Sequence, residues 1–169
     1  MRNKLQPLLL ATLLTLPFAA HALPEDQQQP IHISADRASM NERTGVTVYS
    51  GRVEIVQGTM VIRGQRVELH RTAAGNVERI ISTGKPAEFQ QQPRKDQALT
   101  KAYGERMDYH VTQQEVTITE SARVDQGQDS FTGERIIYNM EKAIVNAFGS
   151  DTDAGQRVQM VIQPKSGGN

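Results

Sequence analysis

The sequence has no cysteine and no tryptophan, aromatic residues make up only 5% of it, and its 19 basic and 19 acidic residues cancel. Without thiols there is no disulfide framework, no thiolate metal site and no cysteine nucleophile, so stability must come from packing and strand ladders. The balanced charge leaves no basic footprint for a nucleic acid. No G-x-G-x-x-G or Walker motif is present. Beyond residue 22 the histidines are His32, His70 and His110, each at a polar-phase position beside apolar residues. They form neither the closely spaced pairs that metal ligation favours nor one corner of a nucleophilic triad. The stretch Asp151-Thr152-Asp153-Ala154-Gly155 opens like a calcium loop. An EF-hand, however, needs Gly at its sixth and Glu at its twelfth position, and Gln156 and Ile162 stand there, so a turn is expected. No enzyme, cofactor or metal is expected.

Long apolar runs are also missing after the N-terminus. The chain starts Met-Arg-Asn-Lys, continues LQPLLLATLLTLPFAA and reaches Ala20-His21-Ala22, an A-x-A exit. This is the pattern of a secretory signal peptide over residues 1–22 with cleavage after Ala22, which directs the mature chain out of the cytoplasm. The run, broken by Pro7 and Pro17, is short for a span of roughly 20 apolar residues. A retained anchor is the alternative, although it would not need the small-residue exit. Losing Arg2 and Lys4 leaves 17 basic against 19 acidic residues, a net charge of −2. The remainder is long enough for one domain with its own core.

What the sequence does have is a period of two. Apolar residues alternate with Arg, Glu, Gln, Thr and Ser through Ile31-Ile33-Ala35, Val46-Val48, Val53-Ile55, Met60-Ile62 and Val67-Leu69. The pattern returns in Ala87-Phe89, Met107-Tyr109, Val116-Ile118, Ala122-Val124, Ile136-Tyr138 and Val158-Met160-Ile162. This predicts antiparallel strands of about 5 to 8 residues, each with one apolar and one wet face, assembled as a sandwich, jelly roll or barrel. Asn41 to Gly45, Gln57-Gly58, Gly64, Gly84-Lys85-Pro86, Gln126-Gly127 and Gly133 read as turns between strands. No amphipathic helix is predicted beyond a helical turn near Gln28 to Ile31.

The alternation repeats itself. Residues from Val53, VEIVQGTMVIRGQRVEL, align without a gap to those from Ala122, ARVDQGQDSFTGERIIY, at an offset of 69. The alignment matches Gln57-Gly58 to Gln126-Gly127, Gly64 to Gly133 and Arg66 to Arg135, and Arg37 meets Arg106 at the same offset. Chance alternation does not explain those matched pairs, so two copies of one unit are expected, about 31–93 and 102–164. They lie within a single domain of residues 23–163. Gln90 to Lys101 is polar and is expected to link them, and 164–169 is expected to be a frayed tail.

Several blocks together resemble the OstA-like family of periplasmic lipopolysaccharide transport proteins: QPIHISAD from Gln29, YSGRVEIVQGTMVIRGQRVEL from Tyr49, GKPAEF from Gly84, AYGERMDY from Ala102, FTGERIIY from Phe131 and RVQMVIQP near the end. The resemblance covers essentially the whole mature chain and implies an all-β fold. This is an elongated, twisted V-shaped antiparallel β-jelly roll with internal duplication, open at both ends. It further implies a periplasmic bridge for lipopolysaccharide that holds lipid A acyl chains in an apolar groove and associates head to tail. An inner-membrane LptC-like protein would meet one end, and the N-terminal domain of an outer-membrane LptD-like translocon the other. Groove positions expected here are Ile31, Ile33, Val48, Ile55, Ile62, Phe89, Tyr109, Val111, Ile118, Phe131 and Tyr138. Core packing accounts for the same residues if the sheets close tightly, so a structural β-module with a sealed core stands as the alternative. A secreted β-fold hydrolase would need a polar cluster with a base, which three scattered histidines do not offer.

Overall fold

The computed structural model describes residues 25–92, 97–151 and 155–164. The expected leader therefore lies outside the described residues, as do most of the calcium-like turn and the tail beyond Pro164. A 3-10 turn, Glu25–Gln28, precedes β1 (His32–Ser34), β2 (Arg37–Asn41), β3 (Val46–Gln57), β4 (Met60–Arg71) and β5 (Val77–Gln91). After the link come β6 (Thr100–His110), β7 (Glu115–Gln126), β8 (Asp129–Asn139), β9 (Ile144–Phe148) and β10 (Gln159–Val161). All ten strands of the described residues belong to one antiparallel sheet in the order β1-β3-β4-β5-β6-β7-β8-β10, with β2 beside β3 and β9 beside β8. Among the described residues, no helix is long and apolar enough to cross a membrane.

The central strands are 11 to 15 residues long, about twice the expected length. Gly64, Gly84 and Gly133 do not end strands; they lie inside β4, β5 and β8. At these places the register slips between neighbours: Ser50/Val53, Arg63/Arg66, Thr83/Ala87, Tyr103/Arg106 and Thr119/Ala122. A bulge adds a residue to one strand, restarts the inward-outward alternation and bends the strand. Along the sequence that restart looks like a turn, which is why each long strand reads as two short ones.

The slips line up across the sheet and form a crease. Phe89 pairs in register with Ala102, and Tyr109 lies seven residues further along β6, roughly 23 Å away in a straight strand. The Phe89 and Tyr109 rings are nevertheless 5.8 Å apart between centroids. The sheet has folded over along the crease, so every long strand contributes to two facing wings, a Phe89 wing and a Tyr109 wing. Glycine is required at several points along the crease. A Cβ on Gly104 would overlap Ile118 Cγ2 and lie 3.0 Å from the Thr119 carbonyl oxygen.

The offset of 69 carries the bounds of β3, 46 and 57, onto those of β7, 115 and 126, and the start of β4, 60, onto that of β8, 129. It likewise carries β1 and β2 into β6, and β5 into the region of β9 and β10. The outermost strands at both edges are thus each broken in two, whereas their counterparts inside the sheet run unbroken through the crease.

Candidate functional site

Residues directly opposite each other in antiparallel strands project to the same face, so the pairing register assembles rows across the sheet. On the inner side of the Phe89 wing one row reads Ile33, Ile55, Ile62, Phe89, then Ala102, Val124, Phe131 and Met160. On the Tyr109 wing a second row runs from Ala38 through Val67, Met107 and Ile118 to Ala147, and a third from Met40 through Leu69, Tyr109 and Tyr138 to Val145. Eight strands at about 4.8 Å spacing make each row about 34 Å long. The result is an apolar interior that runs the length of the sheet.

Exposure along these rows is uneven. In the middle strands Ile55, Ala102, Val124, Val116 and Ile118 are fully buried, but the row ends Met40 and Met160 are 52% and 53% exposed. The interior therefore reaches solvent at both edges of the sheet. Between the edges the wings are in contact: Phe89 meets Tyr109, and the Thr100 hydroxyl lies 3.5 Å from the Tyr138 hydroxyl. The wings touch rather than stand apart, and a cavity of about 290 Å³ lies outside the trough, at the crease, beside Arg52, Arg63 and Lys85.

Of the expected groove residues, Ile55, Ile62, Phe89, Tyr109, Ile118 and Tyr138 are core, and Ile31, Ile33, Val111 and Phe131 pack against it. Val48 is the exception. Buried Thr47 and core-packed Tyr49 face inward, placing Val48 opposite Ser39 and Glu68 on the outer face. Apolarity suggested the wrong phase here, because a one-residue shift sends every side chain to the other face. Ile80, Val116 and Val124 belong to the same rows and were not singled out from sequence, although the latter two sit in alternating runs.

Several polar groups at the site have defined partners, whereas the buried Thr47 hydroxyl on the third inner row has none among the described residues. Asp26 on the 3-10 turn is buried, accepts from the Thr59 amide at 2.7 Å, the Thr59 hydroxyl at 2.5 Å and Gln91 Nε2 at 3.1 Å, and fastens the turn to the tip of the β3–β4 hairpin. Burial, with a smaller contribution from the Asp26 charge, pushes the Tyr109 hydroxyl up to about 12. On the outer face the Arg79 guanidinium forks onto Asp108 and holds its carboxyl below the usual carboxylate range. His70 and His110 lie on that face beside Glu68 and Asp108. Among the described residues no group of three or more His, Asp or Glu side chains could hold a metal ion.

Comparison with known proteins agrees with this architecture. The family model described as LptA/(LptD N-terminal domain) LPS transport protein matches residues 32–144. The chain is 43% identical over 150 residues to lipopolysaccharide export system protein LptH of Pseudomonas aeruginosa, with 86% of each chain covered. To lipopolysaccharide export system protein LptA of Escherichia coli K12 it is 29% identical over 157 residues, covering 92% of this chain and 83% of that one. The crystal structure of LptH, described as the LptA-homologous periplasmic component of the lipopolysaccharide transport device of P. aeruginosa, superposes with a TM-score of 0.76 and 39% identity. It covers 83% of this chain and 100% of that chain. The folded-over, open-edged sheet is thus a β-jelly roll of that kind, and the chain belongs to the LptA/(LptD N-terminal domain) LPS transport protein family.

Proposed function

We propose that this chain is a non-enzymatic periplasmic carrier that binds lipopolysaccharide through its lipid A acyl chains and passes it from inner to outer membrane. The observation that carries this is the set of apolar rows that cross the whole sheet and reach solvent at Met40 and Met160. Exposing an acyl chain to water costs about 0.8 kcal/mol per methylene, on the order of 10 kcal/mol for a dozen carbons. A trough with no single deep pocket lowers that cost at every position along it.

For an acyl chain to enter, the wings part at the Phe89–Tyr109 contact while the crease stays closed. Dispersion contacts between apolar side chains are individually weak and undirected, so a methylene chain can replace them. At the two sheet edges, β1 with β2 and β9 with β10 present strand backbone that can pair with a neighbour. The edges differ, so the contact between copies is head to tail and propagates as an open filament. An LptC-like inner-membrane protein at one end and an LptD-like outer-membrane translocon at the other complete the bridge.

The tight middle of the core favours a second reading, a structural module whose interior never opens. One experiment separates the two. A photo-reactive phenylalanine at Tyr109, which keeps an aromatic ring in place, should crosslink to lipopolysaccharide, while the same probe at outward-facing Thr117 should not. Equal yields at both positions, or none at Tyr109, would leave the sealed module as the better account.

A further inference from the structure

One outer row differs from all the others. Next to the crease on the Tyr109 wing, Arg37 faces Ser50, Ser50 faces Arg66, and Arg66 faces Thr83. Across the next strands Thr83 faces Arg106, Arg106 faces Thr119, and Thr119 faces Arg135. Guanidinium and hydroxyl alternate strand by strand, with successive arginines about 10 Å apart, two strand spacings. The four arginines are exposed.

The internal duplication acts as a record of which positions have been kept. The offset of 69 pairs Arg37 with Arg106, Ser50 with Thr119 and Arg66 with Arg135, and residue 152, at that offset from Thr83, is again threonine. Other outer rows have diverged: Glu68 pairs with Ile137, Val48 with Thr117, Glu54 with Arg123, Arg63 with Thr132 and His70 with Asn139. Among the described residues no common intramolecular partner accounts for the retained row. Arg66 reaches Glu68 at 3.0 Å, Arg106 is 3.9 Å from Asp108, and Arg135 stacks 4.3 Å from the Phe148 ring. The cation is kept while its internal partner changes, which points to an external partner common to both halves.

We propose that this row binds the phosphate groups of the saccharide portion of the same lipopolysaccharide, along the outside of the wing whose inner face holds the acyl chains. This rests on the carrier function proposed above. A planar guanidinium beside a hydroxyl matches the oxygens of a phosphate, and charge-assisted bonds of this kind are among the stronger hydrogen bonds. The cavity at the crease beside the row, lined by Arg52, Arg63 and Lys85 as well as Glu54 and Glu88, gives an anionic sugar a place to approach. From the row to the end of the wing is 4 residues in most strands, as from Arg106 to His110, roughly 13 Å, a span that a saccharide a few units long can cover.

The test uses the mature chain, the deacylated phosphate-bearing saccharide released from lipopolysaccharide, the same saccharide after phosphatase treatment, and inorganic phosphate. Nitrogen-15 spectra report the arginine side-chain Nε–H signals, and a fluorescent acyl probe reports the trough separately. The intact saccharide should shift the signals of Arg37, Arg66, Arg106 and Arg135, and the paired substitution R66Q with R106Q should weaken binding by about tenfold or more. Acyl-probe capture by that variant should stay unchanged. Unshifted signals, equal binding after phosphatase treatment, or equal binding of inorganic phosphate at the same concentration would each overturn the assignment. Loss of acyl-probe capture by the unaltered chain would instead overturn the carrier function, and the two failures are thus distinguishable. If the variant does not fold, the spectra of the unaltered chain still decide.

Discussion

Single residues decide whether the sheet can fold over on itself. Gly104 is the clearest case: a methyl group there runs into Ile118 and the Thr119 carbonyl. Overpacking a filled core typically costs about 1–3 kcal/mol, so Gly104→Ala should lower stability by that amount in urea unfolding. Gly75 has nothing within 4 Å of the same methyl, and its φ of +86° is the only objection to alanine. Gly75→Ala should therefore cost about 1 kcal/mol, the left-handed penalty alone. Tyr109 provides a test of burial. Its phenolate should form only near pH 12 in an ultraviolet titration. Because the folded value lies above the unfolded value of about 10, the stability it contributes is intact below pH 10 and declines as the pH rises toward 12. Asp108 has the opposite sign. Arg79 lowers its folded value, so its contribution is present above about pH 4 and is lost as acid protonates Asp108. With Arg79 38% exposed, solvent screening holds that contribution to about 1 kcal/mol or less, and Asp108→Asn should flatten the acid limb of the stability curve by that much.

At the scale of elements, the period of two made the strands and their inner faces legible before any coordinates. The length of the strands was not legible. A bulge inside β4 and a turn between two short strands leave the same trace, a glycine followed by a restart of alternation, and only the pairing register tells them apart. Val48 was misplaced for a related reason. Its stretch of β3 carries apolar or aromatic residues on both faces, and burial of Thr47 beside Leu69 sets the phase. The offset of 69 stood out because its markers, Gln-Gly and Gly-x-Arg, sit at hairpin tips and at the crease, where geometry limits substitution. The 3-10 turn Glu25–Gln28 is tied on through Asp26, whose carboxylate accepts three hydrogen bonds around Thr59 and Gln91. Bonds to a charged group contribute about 1.5–3 kcal/mol, so Asp26→Ala should destabilise by about that amount and speed hydrogen exchange at the Thr59 amide.

For the whole molecule the decisive features are the two edges. On the C-terminal side Ile144, Phe148, Met160, Val161 and Ile162 are 39% to 65% exposed, a concentration of large apolar side chains on the outermost strands. Isolated apolar residues on a surface need no explanation, but a cluster along an open strand edge marks a place for another strand. At the opposite edge β1 and β2 cover only parts of β3 and leave the outer backbone of both short strands open, with half-exposed Met40 at the end of an inner row. If a second copy adds its β1–β2 edge to β9 and β10, Met160 of one copy and Ile33 of the next continue the same apolar row. The trough then lengthens without a gap. Val161→Pro leaves the core untouched, because Val161 is 54% exposed, and it places a residue with no amide proton on the outermost strand. Sedimentation velocity at rising concentration should show the unaltered chain growing into larger species and the proline variant remaining small. Both should crosslink lipopolysaccharide equally from Tyr109, since the trough of a single copy is complete. If the variant associates as strongly as the parent, growth does not pass through β10, and the continuity of the trough has to be sought on another face.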